Sequence, residues 1–289
     1  MDRPRVSVAF LPHCCLGCER WRSSTRKDAG DGAEGELKRM PRKLVARDHR
    51  EAYDLWATHF ADPALMANRD AESNRRNALR LASKLPRRAT SKVLDVGPGD
   101  GALLRVIASR VRRCCGVDPS ANAAAKLTTL FREVPNVEFV VGAAEAIPYR
   151  DDEFDIVVIN SVLQILPSAE AVERALAELV RVVTPGGLVF VGDLPFRSEL
   201  SRGLLVHMAR KFREFGARGF LRNILDIYVR PFVRREPVVV YPATSLHFPE
   251  RDFVAMCRRL GADVECRSHE ELRCPSSTRN DYLLRLPPR

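Results

Sequence analysis

Residues 93–101, VLDVGPGDG, constrain the chain more than any other stretch. An apolar run, 93–96, stops at Gly97-Pro98-Gly99-Asp100-Gly101, and a helix-compatible segment, 102–111, follows at once. Strand, glycine loop, helix is an order that few folds share. The glycines permit a tight turn and let a ligand approach the main chain with no Cβ in the way. The next helix offers N–H groups that lack intrahelical partners. A nucleotide-like ligand is the first expectation, and a bare strand-to-helix turn is the alternative.

Gly97, Gly99 and Ala102 fit the pattern G-x-G-x-x-G/A, and Asp118 follows about 20 residues on, as that pattern asks. Charge separates the ligands that could satisfy it. Asp95 at the strand end and Asp100 in the loop suit a ligand with an ammonium and a sulfonium better than one with a pyrophosphate. S-adenosylmethionine carries both cations, and a dinucleotide is the competitor.

The stretches around the loop alternate in type. Residues 114–117 read as a second strand closing at Asp118-Pro119, where a carboxylate can accept from both hydroxyls of a ribose. Capping the helix that begins at Ser120 is the other role open to Asp118. Residues 121–132 read as helix and 137–141 as a third strand, ending at Gly142-Ala143-Ala144-Glu145. The run 154–159, FDIVVI, is apolar without alternation, the mark of a strand buried on both faces. Val172, Leu176, Leu179, Val180 and Val183 form one helical stripe; Pro185-Gly186-Gly187 breaks it, and 188–191 is a fifth strand. Upstream, 46–60 and 64–85 read as two helices, with Tyr53 and Trp56 as core and Tyr53 also within reach of a cofactor. Such alternation implies a doubly wound α/β sheet with its ligand outside the carboxyl ends of the strands.

Taken in order, VLDVGPGDG, GVDPS, GAAEAIPYRDDEFDIVVINSVLQIL and RVVTPGGLVFVGD resemble the successive motifs of class I S-adenosylmethionine-dependent methyltransferases of the small-molecule type, akin to methyltransferase domains 11 and 25. The resemblance covers about residues 90–195. It implies an enzyme with a seven-stranded, mostly parallel Rossmann-like sheet, a helical insert after strand five, and S-adenosylmethionine as cofactor. Carried over by position, Asp95, Gly97, Pro98, Gly99 and Gly101 would line the methionine part and Asp118 would hold the ribose. Pro119 would flank the adenine, Ala143, Ala144 and Glu145 would edge it, and Asn160 would sit beside the methionine end. Two positions depart from the family pattern. An acid is frequent where Ala143 stands, and a histidine pair is frequent where this chain has Gln164-Ile165, so no base can be copied to that place.

The chain divides into an arm, 1–39, a core with its helical cap, 40–194, an insert, 195–248, and a closing part, 249–289. The arm's apolar patch, 6–11, is too short to span a bilayer, and 23–36 has almost nothing to bury. We expect the arm to be disordered or an upstream extension, with the domain starting near Met40. In the insert, Arg202, Arg210, Lys211, Arg213, Arg218 and Arg222 interleave with Leu204, Leu205, Met208, Phe212, Phe215 and Phe220. A lid over the cleft, a helix lying on an anionic membrane through 198–223, and a solvated face all fit that pattern. A helix starting at Pro249 and two strands, 262–266 and 281–286, finish the sheet, the last running antiparallel.

Net charge of +10 suggests anionic partners, and the 8 cysteines give no disulfide framework, pointing to a reducing, cytoplasmic setting with peripheral contact at the inner membrane face. Cys15-Leu-Gly-Cys18 has the spacing of half a zinc site with no second pair after it, so no metal is expected. The expected reaction is methyl transfer to a small or lipid-linked acceptor, foremost a hydroxyl of a sugar or cell-surface glycan precursor. A polyketide or quinone-type acceptor and a catalytically silent S-adenosylmethionine-binding protein are the alternatives. Nucleic acid is not an expected partner: no RNA-binding module is visible, and residues 160–163 lack the Pro-Pro-aromatic arrangement of amino-directed enzymes. His247, His207 and Asp193 are the candidate bases, with His247 and Asp193 foremost.

Overall fold

A computed structural model describes residues 7–8, 43–59, 71–196, 212, 216–218, 221, 225, 238–240, 244–268 and 279–288. Its centre is a sheet of seven strands: β1 (Lys92–Val96), β2 (Arg113–Asp118), β3 (Val137–Val141), β4 (Phe154–Asn160), β5 (Val183–Pro195), β6 (Asp263–Ser268) and β7 (Arg279–Arg285). The order across the sheet is β6-β7-β5-β4-β1-β2-β3. Every pair from β5 to β3 is parallel, and β7 runs antiparallel to both neighbours. The order reverses direction at β1, so the loops after β1 and β4 diverge and leave a crevice at their carboxyl ends, where such sheets bind ligands.

Among the described residues, helices α1 (His49–His59), α2 (Ala71–Lys84), α3 (Ala102–Ile107), α4 (Ala121–Leu130), α5 (Ala169–Val182) and α6 (Glu250–Arg259) pack on the sheet and around it. Alternate side chains of β1 show why both faces need cover. Val93 packs with Leu81, Leu85, Leu104, Ile107 and Leu127 from α2, α3 and α4 and the turn after α2, while Leu94 and Val96 pack with Val172, Leu176 and Leu179 of α5 and Phe253 of α6. Burying such side chains stabilises by about 1.5–3 kcal/mol each. The side chains of Ser120 and Ser168 cap α4 and α5 by accepting from Ala123 N and Ala171 N. The capping role left open for Asp118 therefore belongs to Ser120; Asp118 Oδ1 instead accepts from Ser120 N at 2.9 Å.

Three expectations need adjustment. The fifth strand is longer than 188–191: the proline and glycines that end α5 lie inside β5, with Gly186 at φ 76° and a register irregularity between Phe154 and Ile156 on β4. The helix after the glycine loop closes at Ile107 and finishes as a 3-10 turn, 108–110. Within the arm, Ser7–Val8 pairs antiparallel with Thr244–Ser245, and the rest of 1–39 lies outside the described residues. Lys43–Val45 pairs in parallel with Val238–Val240, which joins the start of the core to the end of the insert. Most of the insert, including His207 and nearly all of its basic positions, also lies outside the described residues.

Candidate cofactor and acceptor site

The loop after β1 is held left-handed. Gly97 has φ 72° and Gly99 φ 59°, backbone that a residue with a Cβ adopts only at a cost. A Cβ on Gly97 would also stand 2.5 Å from Val162 Cγ2. The main chain therefore closes against the turn after β4 and forms the floor of a cleft. Tyr53, Asp95, Gly97, Pro98, Gly99, Asp118, Pro119 and Asn160, all expected from sequence, line that cleft together. Asn74, Asn77, Ala78, Leu81, Asp100, Ala102, Leu103, Ser161, Val162 and Ile165 complete the lining.

Gly101 is the exception in the glycine loop. Its φ is 74°, but a Cβ there would meet the Phe131 ring and Leu127, so this glycine serves the packing of the loop on α4 rather than the cleft. Ala143, Ala144 and Glu145 do not line the cleft either. Their turn, closed by a bridge between Ala143 and Ala146, stands beyond Asp118, whose carbonyl accepts from Gly142 N at 3.0 Å. Arg181 of α5 holds the turn from behind, donating to the carbonyls of Ile147 and Tyr149, both at 2.9 Å, and to Asp151. Glu178 accepts from Ile147 N at 2.8 Å.

The acids of the cleft differ in their surroundings. Asp100 is committed: it accepts from Asn74 Nδ2 at 2.8 Å and from Ala102 N at 3.1 Å, the latter at the start of α3. Asp95 is buried and accepts from no described side chain. Burial, with the charge of Asp100 nearby, pushes its carboxyl up to about 7. Burial likewise pushes Asp118 up to about 6, opposed by the hydrogen bond from Ser120 N and aided by Asp54. Asn160 Oδ1 is buried with no hydrogen-bond partner among the described residues, while its Nδ2 donates to Ser161 Oγ at 3.2 Å. A buried acceptor left this way is costly unless a donor arrives.

Helix α1 brings Tyr53 to the cleft because Asp54 ties it to the start of α4. The Asp54 carboxylate accepts from Ser120 Oγ at 2.7 Å and from Asn122 Nδ2 at 3.0 Å. Trp56 packs edge-on against Tyr53 with ring centroids 5.1 Å apart, which fixes the phenol from the other side.

Neither candidate base lines the cleft. His247 is half-buried in a segment pinned by Leu246 N to Gln164 O and by Phe248 N to Pro195 O. Asp193 lies one residue behind the lining: Ser161 Oγ donates to Asp193 Oδ2 at 2.5 Å, and Arg279 Nη1 donates to the same oxygen at 3.1 Å. Ser161 and Asp193 both have φ 60°, on neighbouring strand ends joined by Ser161 N to Gly192 O. Two non-glycine residues held left-handed and in contact store backbone strain beside the cleft.

Sequence reasoning missed the contribution of α2. Asn74 and Asn77 occupy positions of a helix rich in polar residues, where they look like solvent-facing side chains. Ser161 and Val162 could have been found from the abrupt end of the apolar run at Asn160.

The residues present fit S-adenosylmethionine. Asp95 offers an acceptor for an ammonium, Asp118 accepts hydroxyls, and the left-handed glycine floor lets a ligand reach the main chain.

Residues 94–191 match the family described as Methyltransferase domain. Chondramide synthase of Chondromyces crocatus is 34% identical over 106 residues, 35% of this chain and 3% of that protein. Demethylmenaquinone methyltransferase of Renibacterium salmoninarum is 31% identical over 120 residues, 39% of this chain and 48% of the relative. The chain thus spans less than half the length of these curated relatives. Among solved structures, the methyltransferase in complex with the Haloferax volcanii Trm112 activator superposes with a TM-score of 0.57 at 16% identity, over 84% of this chain and 99% of that one. That likeness establishes the fold.

Proposed function

We propose that this chain, built on a class I S-adenosylmethionine-dependent methyltransferase domain, transfers the methyl group of that cofactor to a small-molecule acceptor. The observation that carries the reading is one cleft lined together by Asp95, Asp100 and Asp118, with no cationic side chain in its lining among the described residues. Such a site favours a ligand that brings its own positive charge and its own hydroxyl donors.

Bound there, the cofactor supplies a methyl group already activated by a sulfonium. The chain's part is to bind, orient and exclude water. Asp95 takes the ammonium, Asn160 flanks the methionine end, Asp118 takes the ribose hydroxyls, and Tyr53, Val162 and Ile165 provide apolar cover. An acceptor with a hydroxyl must lose a proton as the new bond forms. Of the two proposed bases, Asp193 is the one in contact with a lining residue, through Ser161 Oγ; His247 would need a movement of its segment to take part.

For the acceptor, our reading is a hydroxyl of a sugar or lipid-linked glycan precursor. Its support is the basic, amphipathic sequence of 198–223, which suits an anionic phosphate anchor at a membrane face. No helix among the described residues is long and apolar enough to cross a membrane. A quinone, polyketide or other natural product is the second reading, favoured for the quinone by the name of the demethylmenaquinone methyltransferase relative. Incubating the protein and methyl-labelled cofactor with fractionated glycolipid and small-molecule extracts separates these. A labelled sugar supports the first reading and a labelled quinone or other natural product the second. Cofactor binding with no labelled product and no S-adenosylhomocysteine from any fraction would indicate a silent binding protein.

A further inference from the structure

The cleft is well supplied with acceptors, yet the methionine end of the proposed cofactor also carries a carboxylate. Asp95, Asp100 and Asp118 can only repel it, so its recognition requires a donor. The lining offers N–H donors on Asn74, Asn77 and Asn160 and hydroxyls on Tyr53 and Ser161. Ser161 gives its one hydrogen to Asp193, and Asn160 Nδ2 and Asn74 Nδ2 each give one of their two hydrogens to a neighbour, Ser161 and Asp100. Tyr53 stands on α1, the helix tied to the ribose side through Asp54 and Ser120.

Asn77 is different. Arg80 Nη2 donates to its side-chain oxygen at 3.0 Å. A guanidinium has only donors, so the atom facing it must be Oδ1, and the amide is thereby turned with Nδ2 away from Arg80. That nitrogen, with two hydrogens, donates to no described residue. The orientation is backed at depth. Arg80 Nη1 donates to Asp281 Oδ2 at 3.0 Å, and Lys84 Nζ donates to the same oxygen at 2.7 Å. Asp281 on β7 is fully buried, and its other oxygen accepts from Asp193 N at 2.9 Å. A buried carboxylate thus fixes Arg80, Arg80 fixes the Asn77 amide, and Asn77 lines the same cleft as Asp95, Asp100 and Asp118.

We propose that Asn77 binds the carboxylate of the cofactor's methionine end, with Arg80 and Asp281 as the residues that position its amide. The proposal rests on the S-adenosylmethionine reading and makes α2 the element that distinguishes that cofactor from analogues lacking the carboxylate. Arg80 keeps its own charge paired with Asp281, so it lends positive potential to the site without closing it.

Calorimetric titration with S-adenosylmethionine, its decarboxylated analogue and 5′-methylthioadenosine tests this directly. The unaltered protein should bind S-adenosylmethionine about 10- to 100-fold tighter than the decarboxylated analogue, the range of one charge-assisted hydrogen bond. Asn77→Ala should remove that preference while leaving the other two ligands within about twofold of their original affinity. Arg80→Met should shrink the preference with methylthioadenosine binding unchanged, whereas general damage to α2 would weaken all three ligands alike. The proposal is overturned if Asn77→Ala weakens S-adenosylmethionine and its decarboxylated analogue equally, or weakens neither. If the unaltered protein binds none of the three, the cofactor reading itself falls, whatever Asn77 does.

Discussion

Asp95 and Asp118 set the behaviour of the site at the level of single residues. Both carboxyls are raised by burial, Asp95 to about 7 and Asp118 to about 6, against an ordinary value of 3.8. Between pH 4 and 7 the folded, ligand-free chain therefore holds protons that the unfolded chain has lost. Their contribution to stability is fully present below the ordinary carboxylate range and is lost as pH rises through the raised values. A cationic ligand prefers the ionised carboxylates, so its binding has the opposite dependence. S-adenosylmethionine affinity should rise at least about tenfold from pH 5.5 to pH 8 and then level off, with proton release on binding at pH 6 in calorimetry. Asp118→Ala should weaken the cofactor by about tenfold or more at pH 8, since charge-assisted hydrogen bonds to the ribose would be lost; unchanged affinity would refute that role. Gly97→Ala places a methyl 2.5 Å from Val162 Cγ2 at φ 72°, and should cost about 1–3 kcal/mol by denaturant unfolding along with cofactor affinity.

At the level of elements, much of the architecture could be read from the chain because the signals were local. The apolar runs at 93–96 and 154–159, each broken by a single aspartate, are strands buried on both faces over most of their length, and the apolar stripe Val172, Leu176, Leu179 is the buried side of α5. What could not be read was pairing at a distance. Gly101 sits in the glycine motif like its neighbours, and only its contact with Phe131, thirty positions away, shows that it serves α4. The polar positions of α2 owe their part in the cleft to Arg80 and Lys84 reaching Asp281, about two hundred residues downstream, a link no periodicity records. The turn expected to edge the adenine is likewise governed from α5. Arg181→Met should free it, raising amide exchange over residues 143–151 while exchange in β1 and β4 stays slow. Equal exchange in variant and parent would show that Arg181 does not hold this turn.

On the scale of the whole molecule, the parallel strands and the reversal of order at β1 put a cleft at the strand ends, with residues of α1 and α2 in its lining. Its chemistry is a property of the ensemble: three carboxylates and a left-handed glycine floor, with no cationic side chain in the lining among the described residues. That balance is what separates the two ligands a glycine loop can serve, because a pyrophosphate would meet the acids and a sulfonium would complement them. The most direct test is calorimetric titration of the full chain at pH 8 with S-adenosylmethionine and, separately, with NADH. The account predicts saturable one-to-one binding of S-adenosylmethionine and none of NADH; binding of NADH without binding of S-adenosylmethionine would contradict it.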